Sequence, residues 1–215
     1  MERAHNQPMN STLDLCCRHL FPSIVCSTKS SACHLTFDDG PHPVVTPRVL
    51  HILQSFNARA TFFVLGKRAE EHPRLIHDIL DGGHAIGNHA YDHGVLLFRP
   101  RVYIQEQIGR AAESIRRISG VRPTLFRPPF GLFNPSTVSA AAELDHRLVL
   151  WSVNPADYSR RTPERMASIL RRRTKSGSIV LLHDSDLTID TAEPILTAFF
   201  EAPESSKLTF APVPS

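Results

Sequence analysis

No stretch of this sequence approaches the run of about 18 apolar residues that a membrane-spanning helix needs, so no transmembrane segment is expected. Cysteine is sparse and lopsided. All four, Cys16, Cys17, Cys26 and Cys33, precede residue 38, in a spacing that matches no zinc ribbon. Free, partly buried thiols are the expectation. Aromatic residues make up only 7 %, with a single tryptophan. The most basic region, Arg160-Arg161 with Arg171-Arg172-Arg173 and Lys175, has only Tyr158 nearby. Single-stranded nucleic acid would want aromatics interleaved with the cations. That cluster therefore reads as a solvated helix end, and no nucleic-acid partner is expected. Neither sign of charge dominates, since 24 Lys and Arg face 21 Asp and Glu. The opening stretch MERAHNQPMNSTLDLCCRHLFPSIVC lacks a continuous apolar centre and a clean cleavage site, so a cytoplasmic location is favoured, with a mature form already trimmed as the alternative. Internal repeats and linkers are lacking as well.

What is present is a chain of 215 residues with 41 % hydrophobic content, enough for one domain with a full core. Strand-like runs alternate with helical ones: HLTF, ATFFVL, HAIGNH, TLFR, LVLWSV, SIVLLH and LTFAPV. They are short and apolar on both faces, as parallel strands covered by helices must be. Helices are expected to open at Thr46-Pro47, Asn134-Pro135 and Thr162-Pro163, each a cap followed by proline. Others should run through Pro73 to Gly82-Gly83, from Val102 to Ser119 with Gly120 as terminator, and from Thr188 to Glu201. The count predicts an α/β fold close to a (β/α) barrel of about seven parallel strands. Residues 1–33 have no readable structure, and the domain is placed at 34–215.

In such barrels the working groups sit just after the strand C-termini. Asp38 and Asp39 follow HLTF, His89 and His93 follow HAIGN, Arg127 follows TLF, Asp157 follows LVLWSV, and His183 closes SIVLL. His89 and His93 are the only i,i+4 histidine pair, and on a helical turn both rings would face one metal. With 12 histidines in the chain, that pair alone is weak. With Asp39 as a third ligand the set becomes two imidazoles and one carboxylate, with positions open for water and substrate. Zinc suits it, with cobalt or nickel next. Asp38, pointing elsewhere, is left free to take a proton from the attacking water, with Arg127 as its cationic neighbour. His183 is the candidate acid for the leaving group. The bland readings are a turn for the paired aspartates, a core histidine for His183 and an ordinary turn residue for Asp157.

The stretches FDDGP, HAYDH, RPPFG, NPADY and LLH occur in that order between Leu35 and Asp184. Together they resemble the five motifs of the NodB-like polysaccharide deacetylases, the fourth carbohydrate esterase family. The resemblance implies a distorted (β/α) barrel of about seven strands and metal-dependent removal of acetyl groups from sugars. It implies Asp38 as base, Asp39, His89 and His93 as metal ligands, and Arg127 as the residue that positions the base. By the same likeness the Phe130 backbone N–H would join the oxyanion site, Asp157 would tune His183, and Tyr158 and Leu181 would line the acetyl pocket. Three positions depart from the family pattern: Ala90 replaces a usual Ser or Thr, and Asn154 and Tyr158 replace a usual Asp and Trp. An N-acetylglucosamine-type glycan or oligosaccharide is the expected substrate, held in a compact open site. Two alternatives stand beside it, an amidohydrolase acting on a small cyclic or acyl amide and a sugar-binding barrel without turnover. A phosphatase using Asp38 as nucleophile is disfavoured, because that chemistry needs Asp-x-Asp spacing there and a downstream Lys in the same site.

Overall fold

Strand β1 (His34–Asp38) is buried at every position, and so is β2 (Ala60–Val64). A strand with no wet face needs cover on both sides, which here means helices outside and a filled barrel within. The computed structural model describes residues 23–215. In them β3 (Ala85–Asn88), β4 (Leu125–Phe126), β5 (Arg147–Leu148) and β6 (Ile179–His183) complete a parallel sheet of order β5-β4-β3-β2-β1-β6. The two sheet ends meet irregularly. Val153 bridges Val180, and the Leu181 N–H donates to the Val153 carbonyl at 2.9 Å. At the opposite end of this seam Val25 bridges Val149 and Ser27 bridges Ser178. Residues 24–27 thus pack into the wall, with Ile24 and Cys26 buried. The result is a distorted (β/α) barrel.

The strand expected at LTFAPV is a correction: it pairs through a single bridge, Cys33 to Phe210. Its tail instead closes the barrel floor, where Val213 is buried and its N–H donates to Thr61 Oγ1 at 2.9 Å. The helices are α1 (Val45–Ser55), α2 (Gly66–Glu71), α3 (Pro73–Asp81), α4 (Arg101–Ser119), α5 (Pro135–Glu143), α6 (Pro163–Arg173) and α7 (Ala192–Phe200). Asn134 and Thr162 cap α5 and α6 as their sequences suggest, Asn134 in a full capping box. Gly120 ends α4 in the left-handed conformation, φ 73°. Thr46 does not cap α1. It lies inside the helix, where its hydroxyl accepts from the His42 N–H at 2.7 Å and donates to Asp184 at 2.5 Å. The last helix begins at Ala192 rather than Thr188, because a separate turn at Asp186–Thr188 precedes it.

Cys33 is a buried free thiol whose Sγ donates to the Lys175 carbonyl, and burial pushes its pKa up to about 11. Cys16 and Cys17 lie outside the described residues. No helix among the described residues is long and apolar enough to cross a membrane.

Candidate active site

Strands β1, β3, β4 and β6 each end on or lead directly into a residue singled out from the sequence, and the segment after β5 brings Asp157 and Tyr158 to the same end of the barrel. β1 ends on Asp38, and the chain then turns sharply, with Asp39 at φ 74°. This reversal separates the two carboxylates. Asp38 is buried and its Oδ1 accepts from Arg127 Nη1 at 2.7 Å, whereas Asp39 Oδ1 lies 3.3 Å from His89 Nε2 and 3.0 Å from His93 Nε2. The loop after β3 carries both histidines, and left-handed residues at Ala90 (φ 68°) and His93 (φ 60°) bend it so that both rings face Asp39. The expected helical turn is therefore a tight loop. The i,i+4 pair converges all the same, with ring centroids 5.2 Å apart.

One ligand atom from each of Asp39, His89 and His93 falls within 4.8 Å of the others. Two observations test whether a cation fits. Asp39 Oδ1 is buried without a hydrogen-bond partner, a costly condition for a carboxylate oxygen unless a cation compensates. His89 Nδ1 sits 2.7 Å from the Arg127 carbonyl, which can only accept. His89 Nδ1 is thereby the protonated nitrogen, and the Nε2 lone pair is aimed at the Asp39 side. Lone pairs from all three residues converge. The donor set fits a divalent metal.

Arg127 is fully buried. Its guanidinium donates to Asp38 Oδ1, to Thr36 Oγ1 at 2.7 Å and to the Val149 and Leu150 carbonyls at 3.2 and 2.9 Å, and it lies 4.1 Å over the Phe63 ring. Burial lowers its pKa and the Asp38 charge raises it. A buried ion pair of this kind is tolerable because every guanidinium nitrogen has a hydrogen-bond partner. Across the cleft His183 Nδ1 meets Asp157 Oδ1 at 2.8 Å, and the His183 N–H donates to Asp157 Oδ2 at 2.7 Å. Burial alone would lower the His183 pKa. The Asp157 hydrogen bond and charge, joined by Asp38 and Asp39, overcome it and push the imidazole up to about 9.

Asp38, Asp39, His89, His93, Phe130, Tyr158, Leu181 and His183 line one cleft of about 300 Å³. Arg127 and Asp157 stand behind its wall, each reaching the cleft through the residue it bonds. Phe130 occupies a tight turn, φ 61°, with its ring 4.5 Å from that of His93. The Tyr158 ring stands edge-on to His183 at 5.3 Å. Trp151, Asn154, Gly131 and Leu187 also line the cleft, and sequence reasoning gave none of them a role there, although Asn154 was placed at this end of the barrel. Trp151 had a signal, as the lone tryptophan near a strand exit. Gly131 follows from it, because φ is 67° and a Cβ there would fall 2.4 Å from the Trp151 ring.

The polysaccharide deacetylase family model matches residues 26–149. Over 157 residues the chain is 39 % identical to the chitooligosaccharide deacetylase of Azorhizobium caulinodans, covering 72 % of this chain and 74 % of that protein. It is 36 % identical over 166 residues to the peptidoglycan-N-acetylmuramic acid deacetylase PdaC of Bacillus subtilis, 75 % of this chain but 34 % of that one. The fold matches the crystal structure of the Bc1960 peptidoglycan N-acetylglucosamine deacetylase with a TM-score of 0.84 at 28 % identity, over 89 % of this chain and 91 % of the other.

Proposed function

The chain belongs to the NodB-like polysaccharide deacetylase family, and from that premise we propose that its 34–215 domain removes N-acetyl groups from N-acetylglucosamine-type glycans or oligosaccharides. The observation that carries this reading is the convergence of Asp39, His89 and His93 beside an Arg127-bound Asp38, with an Asp157-bound His183 on the same cleft. Relatives named for chitooligosaccharide and peptidoglycan substrates support the choice of glycan.

Asp39, His89 and His93 would hold one divalent cation, zinc before cobalt or nickel, since mixed imidazole and carboxylate donors suit these ions better than magnesium. When bound, it supplies positive charge near the scissile carbonyl and lowers the pKa of the attacking water. Asp38 Oδ2, the oxygen not taken by Arg127 Nη1, accepts the proton of that water. Arg127 fixes the carboxylate through its Nη1 hydrogen bond to Oδ1. The Phe130 N–H donates to the developing oxyanion, a contribution of about 3 kcal/mol for such donors. His183 Nδ1 is committed to Asp157, so Nε2 carries the proton to the leaving nitrogen. Leu181 and Tyr158 bound the acetyl methyl.

The test is acetate release from N-acetylglucosamine oligomers and from peptidoglycan fragments, with small cyclic amides in parallel. Acetate appearing with an equal amount of free amino sugar is the expected result. Cleavage of the cyclic amides alone, or saturable sugar binding without acetate, would contradict it.

A further inference from the structure

The segment between the two histidines has no polar side chain of its own at position 90, where Ala90 is fully buried. Its backbone bends through the left-handed region at Ala90 and again at His93, conformations that non-glycine residues hold only when surroundings impose them. The donors and acceptors of the segment show what imposes them. The Ala90 and Tyr91 carbonyls accept from the Gly66 and Lys67 N–H groups at the start of α2, at 3.0 and 2.9 Å. The Ala90 N–H donates to Asn88 Oδ1 at 2.9 Å. The next two N–H groups, of Tyr91 and Asp92, both go to Gln107 Oε1, at 3.2 and 3.3 Å. Gln107 Nε2 then donates to Asp92 Oδ2 at 3.3 Å, while Asp92 Oδ1 accepts the Gly94 N–H at 3.0 Å.

His93 is thus bracketed on both sides by one relay, Gln107 to Asp92 to Gly94. Gln107 is itself buried, on the face of α4 that also buries Ile104, Ile108, Ala111 and Ile115. A glutamine in that apolar stripe is costly unless both ends of its amide are used, and both are. We infer that Gln107, a residue outside all five sequence motifs, is the positioning residue that fixes His93 as a metal ligand. The inference rests on the assignment of Asp39, His89 and His93 as the metal site. Outer residues that orient ligands commonly contribute ten- to hundredfold to metal affinity, and the amide has the right chemistry for it. Its oxygen takes two backbone donors, and its nitrogen holds the one carboxylate flanking the ligand.

The experiment is a zinc titration of the folded full chain against a chromophoric chelator, with thermal unfolding of the metal-free form measured alongside. Gln107→Met, similar in volume, should raise the zinc Kd by about ten- to hundredfold. Gln107→Glu should also weaken binding, since it keeps the acceptor but sets a second carboxylate against Asp92. Gln107→Glu with Asp92→Asn reverses the donor and acceptor of that bond and should recover affinity to within a few-fold of wild type. This rescue separates positioning from packing, and it decides the matter even if Gln107→Met fails to fold. Wild-type affinity in folded Gln107→Met or in Gln107→Glu, or a double variant no better than Gln107→Glu, would overturn the inference alone. A wild-type chain that takes up no zinc would overturn the metal assignment, and this inference with it.

Discussion

Asp38 and Asp39 are covalent neighbours with separate partners, and mutation should separate them. On the proposed roles Asp38→Asn removes the proton acceptor but no metal ligand, so metal content should stay near one per chain while turnover is mostly lost. Asp39→Ala should lose metal as well, read by elemental analysis after gel filtration. Equal metal content in the two variants would contradict the division of labour. His183 and Asp157 give a second test at this scale. The acid must be protonated to act, so the alkaline limb of kcat/KM follows its pKa, raised to about 9 chiefly by Asp157 against burial. Asp157→Asn should move that limb to lower pH with metal content unchanged. A limb that does not move would remove His183 from the acid role. Asp184 supplies a third. Burial pushes its carboxyl up to about 8, Thr46 Oγ1 pulls it down, and the Asp39 and Asp38 charges add to the rise. An acid that holds its proton more tightly folded than unfolded makes stability fall as pH climbs between the two values, here from the ordinary 3.8 to about 8. In the metal-free protein, denaturant stability of Asp184→Asn relative to wild type should therefore improve steadily across that interval. A constant difference would contradict the shift.

Among the elements, α5 offers the cleanest test, because its start rests on a reciprocal cap between Asn134 and Thr137. Asn134→Ala should cost about 1 kcal/mol by denaturant melting and leave metal affinity alone. A loss of metal affinity in that variant would mean the cap supports the site after all. The cap was readable because Asn-Pro is a local signal, and Gly120 and the Pro73 helix start were readable for the same reason. Other elements depended on tertiary contacts. LTFAPV has strand composition, yet its residues are spent on the floor of the barrel, where Val213 meets Thr61. Thr46 looks like a cap in sequence, but Asp184, far along the chain, claims its hydroxyl. The six-residue α2 carries too few turns to show a period, although its first N–H groups hold the loop that carries His89 and His93. Asp38 and His183 were legible because each closes a strand, and the rest of the site because its residues fall in five ordered motifs. Gln107 was not, because a single polar residue in an apolar helical stripe gives no hint of which loop it meets.

At the scale of the whole molecule, the barrel brings residues 38 to 183 to one rim by ending its strands on the same side. The seam at Val153 and Val180 places Asp157 against His183. Behind the cleft, buried Arg127 ties Asp38 to the carbonyls of residues 149 and 150. Arg127→Met should therefore cost both stability, about 3–5 kcal/mol for a broken buried pair, and turnover, measured by melting and by initial rates. Loss of turnover with full stability would mean that the pair serves the base and not the fold. The central claim is that a single cation at Asp39, His89 and His93 turns this barrel into a deacetylase. Its most direct test is acetate release from an N-acetylglucosamine oligomer while zinc is returned stepwise to chelator-stripped protein. The account predicts no release from the stripped chain and a rate that climbs linearly to a plateau at one equivalent. Release that is equal in stripped and reloaded protein, or that requires His89 and His93 no more than any surface histidine, would contradict it.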